Sequence, residues 1–182
     1  MSPSTFPLIL FTLCLIFISH APLPTSADLF KLYQVVCYES SISELINVTK
    51  CLKALEVNSR IPLAKSYAEL SELIIKLALK NSTGVQDYLK ILTKTNPSPA
   101  IKQCAVEDYT KIIQDYNSAL TLLASSPQRA ANILADAQVH SGLCKTALLK
   151  EPKSPAYLFR LIDYVLFFCN IAYKSISLIS VM

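Results

Sequence analysis

The residues in this sequence best suited to chemistry are its cysteines, and the closest pair bounds the stretch "CYESSISELINVTKC", Cys37 to Cys51. On one straight helix their Cα atoms would lie about 21 Å apart, at about 1.5 Å of rise per residue. A disulfide tolerates only about 7 Å. Either the two thiols are unpaired or the chain doubles back between them. Other chemistry finds little material. Apart from His20 in the apolar N-terminal run, the sole histidine is His140, so a His-rich metal site is excluded and a His-based triad would hang on one residue. His140 stands among small residues in a helical stretch and reads as a surface or helix-packing side chain. Glycine occurs only at Gly84 and Gly142, which leaves no glycine-rich loop to cradle a phosphate, and there is no tryptophan to stack on a sugar. No catalytic residue, metal or cofactor is expected.

Whether the thiols pair depends on the compartment, and the N-terminus speaks to that. The apolar run "FPLILFTLCLIFIS" is followed by a segment ending "PTSA", with Thr25 and Ala27 in small-residue cleavage positions. This is the pattern of a secretory signal peptide over residues 1–27, and the run falls short of the roughly 20 residues needed to span a bilayer. The exported part, residues 28–182, keeps Cys37, Cys51, Cys104, Cys144 and Cys169 in an oxidising environment. An odd number leaves one thiol over. Two sequons, Asn47-Val48-Thr49 and Asn81-Ser82-Thr83, are candidate N-glycosylation sites in that compartment. The net charge of +4 is scattered along the chain, which suits acidic surroundings and gives no clustered footprint for nucleic acid.

The positioning elements read as helices, with prolines falling between periodic segments. Leu63, Tyr67, Leu70, Ile74 and Leu77 form one stripe, resumed by Val85, Tyr88, Leu89 and Leu92 after a loosening at "NSTG". Pro62 is placed in the first turn of this helix, which runs to about Thr95. After "TNPSP", with Ser98 as N-cap and Pro99 at the first helical position, comes the stripe Ala105, Tyr109, Ile112, Tyr116, Ala119 and Leu123. "SSP" opens the next, Ala130, Leu134, Ala137, Ser141, Cys144 and Leu148. Leu158, Leu161, Val165, Phe168, Ala172, Ile176 and Ile179 form the last, apolar nearly all round and so expected to be the most deeply buried. Asp163, Asn170 and Lys174 count against its spanning a membrane.

Four long helices with short connections imply an all-α, up-and-down four-helix bundle over residues 62–182. Before it, Leu29, Leu32 and Val36, then Leu45, Val48, Leu52 and Leu55, make two short amphipathic pieces over residues 28–58. A Cys37–Cys51 bridge folds these into a hairpin. Ser41 and Glu44 have capping-box spacing that would start the second piece at Ser41, whereas the crosslink places an irregular reversal nearer Glu44. Cys104 and Cys144 fall where antiparallel neighbours bring their remote ends together, so they form the second bridge. The two closures contribute at most about 3 and about 4 kcal/mol in the chain-entropy view. Cys169, midway along an apolar helix, is left as a buried free thiol.

With its signal peptide, close N-terminal cysteine pair, "AIKQCAVEDYTKIIQDYNSALTLL", "HSGLCKTALL" and "CNIAYKSISLI", the chain resembles the plant invertase and pectin methylesterase inhibitor family. The resemblance covers nearly all of the exported part. It implies a disulfide-stabilised four-helix bundle with an N-terminal hairpin, bridged first cysteine to second and third to fourth. Three features depart from the family pattern. The gap between the first two cysteines is longer and has no proline, Tyr109 stands one residue further from Cys104, and Lys145 replaces an acidic residue. The resemblance further implies a secreted monomer of the cell wall, with the vacuole as a second location, that plugs an enzyme's substrate cleft. Invertase-directed members carry Pro-Lys-Phe before the last helix, and Pro152-Lys153-Ser154 keeps two of the three. Esterase-directed members use polar faces of the second and third bundle helices, for which Glu69, Glu72, Lys76, Lys111 and Gln114 are candidates. The expectation is an invertase inhibitor, with a pectin methylesterase inhibitor as the alternative. A reading of another class is a helical storage or ligand-carrier protein with a cavity beside Tyr164, Phe167 and Phe168.

Overall fold

A computed structural model of the chain describes residues 30–44, 46–151 and 155–179. Its contacts divide the chain into Met1–Lys31 and a compact unit, Leu32–Met182, which holds every helix named here. In order these are α1 (Leu32–Glu44), α2 (Val48–Glu56), a 3₁₀ turn (Ile61–Leu63), α3 (Tyr67–Thr95), α4 (Pro99–Gln103), a π-helical segment (Cys104–Asp108), α5 (Tyr109–Leu122), α6 (Pro127–Leu149) and α7 (Ala156–Ser177). The long helices α3, α5, α6 and α7 pack in a closed ring, α3 on α5, α5 on α6, α6 on α7 and α7 on α3. The α1–α2 hairpin lies against α7 through α1.

The periodic stripes are what the bundle buries. Ala105, Tyr109, Ile112, Tyr116, Ala119 and Leu123 are all in the core, as are Ala130, Leu134, Ala137, Ser141, Cys144 and Leu148. In α7 ten of 22 residues are buried, a larger share than in α3, where ten of 29 are. By length and composition α7 could cross a membrane. Yet Asp163, Asn170 and Lys174, which interrupt it, each have a partner on a neighbouring helix of the same compact unit. Asp163 pairs with Lys145, Asn170 Oδ1 accepts from Gln138 Nε2 at 2.6 Å, and Lys174 Nζ lies 3.5 Å from Glu39.

One helix start and one expected loosening differ from the sequence reading, while the hairpin reverses just after Glu44, as the crosslink required. Pro62 lies in the separate 3₁₀ turn, Leu63 is 70% exposed, and the long helix starts only at Tyr67. The cause is a capping box at Ser66. The Ser66 Oγ accepts the Glu69 N–H at 3.2 Å, and Glu69 reaches back to accept the Lys65 N–H at 2.9 Å. At "NSTG" α3 runs on without a break, with Gly84 in open space and Thr83 Oγ1 donating to the Leu79 carbonyl at 2.9 Å. In the hairpin Ser41 starts nothing. It sits inside α1 with its hydroxyl donating to the Tyr38 carbonyl at 2.6 Å, and Asn47 caps α2 instead. The reversal therefore falls between α1 and α2, and brings the Cα atoms of Cys37 and Cys51 to 5.6 Å. Leu29 and Leu45 lie outside the described residues.

The π segment is the feature that periodicity did not announce. Cys104 must face α6 to reach Cys144, and Tyr109 must face the core. Five residues along an α-helix would set them about 140° apart. The wider i→i+5 turn, closed by the Tyr109 N–H on the Cys104 carbonyl, lets both point inward. Gln86 from α3 supports this turn. It is 8% exposed, and its Nε2 donates to the Ala105 carbonyl and to Thr110 Oγ1, each at 3.0 Å, while its Oε1 accepts from Lys90.

Deleting the exposed Val106 should turn this segment into regular α-helix, keep both bridges, and change the unfolding free energy by no more than about 1.5 kcal/mol. Deleting the exposed Gln114 should rotate Tyr116, Ala119 and Leu123 off the core and cost about 3 kcal/mol or more. Urea unfolding of the two variants checks the contrast.

Candidate functional site

Cys37 is bonded to Cys51, and Cys104 to Cys144 across 4.9 Å of Cα separation. Cys104, Asp108 and Cys144 bring ligand-type atoms together, but with the two sulfurs bonded to each other the group has no thiolate to offer a metal. Cys169 is free and fully buried, its Sγ 2.6 Å from the Tyr116 hydroxyl. Burial pushes its thiol up to about 12, the Tyr116 hydrogen bond acting against that and the Asp115 carboxylate with it. A protonated, enclosed thiol is neither a nucleophile nor a site for joining two chains.

Pro152 and Lys153 lie outside the described residues, but the frame that presents their loop is defined. α6 ends at Leu149 and α7 begins at Ala156. At the start of α7 the half-exposed Tyr157 meets Tyr88 of α3 edge-on, with centroids 5.9 Å apart, and the Arg160 guanidinium lies over the Tyr157 ring at 5.5 Å. This ties the first turns of α7 to α3.

The polar candidates separate by helix. Glu69, Glu72 and Lys76 belong to α3, the first bundle helix, rather than to the second or third; only Lys111 and Gln114 lie on the second, α5. All five are exposed. A groove of about 510 Å³ runs between the start of α3 and the end of α5, lined by Glu69, Glu72, Lys76, Leu120 and Thr121 among others, with Lys76 paired to Glu72.

One polar group was read only in part, since the sequence analysis took His140 for a surface or helix-packing side chain and singled out neither Asp108 nor Asp115. Asp108 is 4% exposed and accepts from Gln103 Nε2 at 3.4 Å; half-buried Asp115 has Oδ2 enclosed without a partner; and His140 on α6 has Nδ1 enclosed likewise. Burial raises both carboxyls above the ordinary carboxylate range. His140 and Lys111 act against this for both, as does the Gln103 hydrogen bond for Asp108, while Glu107 adds to it at Asp108 and Asp136 at Asp115. The sequence signal was present in part, since Asp108 and Asp115 lie seven residues apart, two turns of a helix. The aromatic trio of α7 fills its own space. Phe168 meets Tyr164 edge-on at 4.9 Å and Phe167 at 5.4 Å.

No protein-family model matches the sequence, and no curated protein does. Among solved structures, a mutant form of a pectin methylesterase inhibitor from Arabidopsis superposes with a TM-score of 0.64, over 75% of this chain and 95% of its own, at 16% identity. The fold is that of a pectin methylesterase inhibitor. At this identity the likeness is one of architecture, the arrangement of the long helices.

In this inhibitor fold the buried carboxyls set a pH dependence. A carboxyl with a raised folded-state pKa holds its proton more tightly folded than unfolded, so its stabilisation is present at low pH and is lost as pH rises through the raised value. Asp108→Asn should therefore be more stable than the parent at about pH 7.5, with the difference shrinking toward about pH 4. Urea unfolding across that range gives the result.

Proposed function

We propose that the chain is a secreted protein inhibitor that blocks the substrate cleft of a plant cell-wall enzyme acting on carbohydrate, and that pectin methylesterase is its first target. The observation that carries this is the superposition on a methylesterase inhibitor over 95% of that protein's length. A crosslinked bundle with a filled core fits the role, because a preformed surface loses little entropy when it docks. Two disulfides also suit the oxidising route that the N-terminal run suggests.

Invertase stays as the second target on one sequence observation, the Pro152-Lys153 pair before α7. A lysine ammonium presented by a loop suits the paired carboxylates of a glycosidase cleft. Ser154 stands where invertase-directed relatives carry an aromatic anchor, which removes the kind of residue that dominates binding energy. For this reason the methylesterase comes first.

Titrating the purified, oxidised protein against a pectin methylesterase and a cell-wall invertase in parallel at about pH 5, an acidic pH at which many exposed carboxylates remain charged, decides the matter. Loss of methylesterase activity at a stoichiometric ratio is expected. A Lys111→Ala/Gln114→Ala variant should then weaken it about tenfold or more while unfolding normally. Invertase loss alone moves the target to the second reading, and no loss in either assay overturns the inhibitor function.

A further inference from the structure

The two sequons occupy opposite kinds of backbone. Asn47 is exposed, extended (φ −67°, ψ 119°) and outside any helix, as the N-cap of α2. Its Oδ1 accepts the Lys50 N–H at 2.9 Å, while its Nδ2 has no hydrogen-bond partner among the described residues. An N-cap side chain folds back over the first turn, and the exposed Thr49 stands in that turn. Both residues of the sequon that matter, Asn47 and Thr49, are exposed within one turn of chain.

Asn81 lies in the middle of α3, half-buried, followed by Ser82 with no exposure. Residues two apart on a helix do not face each other, so Thr83 is turned away from Asn81. The Thr83 hydroxyl is also engaged, donating to the Leu79 carbonyl. The contrast extends to helix length. A helix of nine residues falls below the length of about 12–15 under which isolated helices are marginal, whereas 29 residues exceed it, so α3 forms local helix more readily than α2.

We infer that Asn47 is the N-glycan acceptor of this chain and that Asn81 stays bare. The inference rests on the secretory reading above. In the transfer, Nδ2 of Asn47 attacks the first sugar carbon of a lipid-pyrophosphate-linked oligosaccharide. The N–C bond forms, the C–O bond to phosphate breaks with its electron pair leaving on the lipid pyrophosphate, and one amide proton passes to a base of the transferring enzyme. Oδ1 is untouched, so the glycan and the helix cap coexist. The sugar would project from the hairpin reversal beside the Cys37–Cys51 bridge, which leaves the bundle faces clear for docking.

The full chain, produced in plant or insect cells with its own leader and in parallel behind a second, unrelated secretory leader, tests this. Peptide mapping after glycan-releasing amidase treatment should show Asn47 converted to aspartate and Asn81 unchanged. Thr49→Ala, which keeps the cap, should remove the whole glycan mass shift, and Thr83→Ala should leave it intact. A glycan on Asn81, or a bare Asn47 in chain delivered by the second leader, overturns the inference. Failure of the native leader alone, with Asn47 modified behind the other, overturns only the secretory reading.

Discussion

The Cys104–Cys144 bond fixes how the second long helix can be wound. It commits Cys104 to face α6, while the stripe that begins at Tyr109 is committed to the core, and no α-helix satisfies both at a spacing of five. A single π turn resolves the conflict, and Gln86 fills the hydrogen-bonding positions that the turn opens toward α3. Three helices are therefore tied at one level of the bundle, α3 by the Gln86 amide, the π segment by its winding, and α6 by sulfur. The five-residue spacing is absorbed as a local bulge instead of turning the rest of α5 out of register.

The same economy governs the polar groups that a helical core must hold. The three residues that break the apolar surface of α7 find partners on two neighbours, Lys145 and Gln138 on α6 and Glu39 on α1. Asn170 and Lys174 are partly buried, where a polar group without a partner is costly, while Asp163 is exposed. The hairpin is bound to the bundle in part through the Lys174–Glu39 pair and through Lys50, which lies over the Phe167 ring at 5.0 Å. The carboxyls at Asp108 and Asp115 are among the exceptions, since burial is not fully compensated there, and acidity relieves the cost.

Much of this was legible in the sequence. The stripes through Tyr109 and Leu134 predicted the right faces because apolar spacing of three and four is forced by helix geometry and the prolines mark where each helix stops. Boundaries were harder. Pro62 looks like a first-turn residue, and only the competing Ser66–Glu69 box shows that the helix begins later. The π segment was invisible to periodicity, because the stripe was read from Ala105 onward and the demand made by Cys104 is a tertiary one. The Asp108, Asp115 and His140 group likewise depends on how α5 and the π segment face α6, which no single helix records. The choice of target was legible only as the ambiguous Pro152-Lys153-Ser154 stretch, since an architecture of this kind supports more than one docking surface.

The central claim is that the bond between Cys104 and Cys144 holds the winding of the second helix and with it the shape presented to a partner. Urea unfolding of a Cys104→Ala/Cys144→Ala variant, with amide hydrogen exchange followed from Ala105 to Asp108, tests that claim most directly. The predicted result is a loss of about 2–5 kcal/mol with fast exchange opening in that segment. Unchanged stability and unchanged protection there would contradict it.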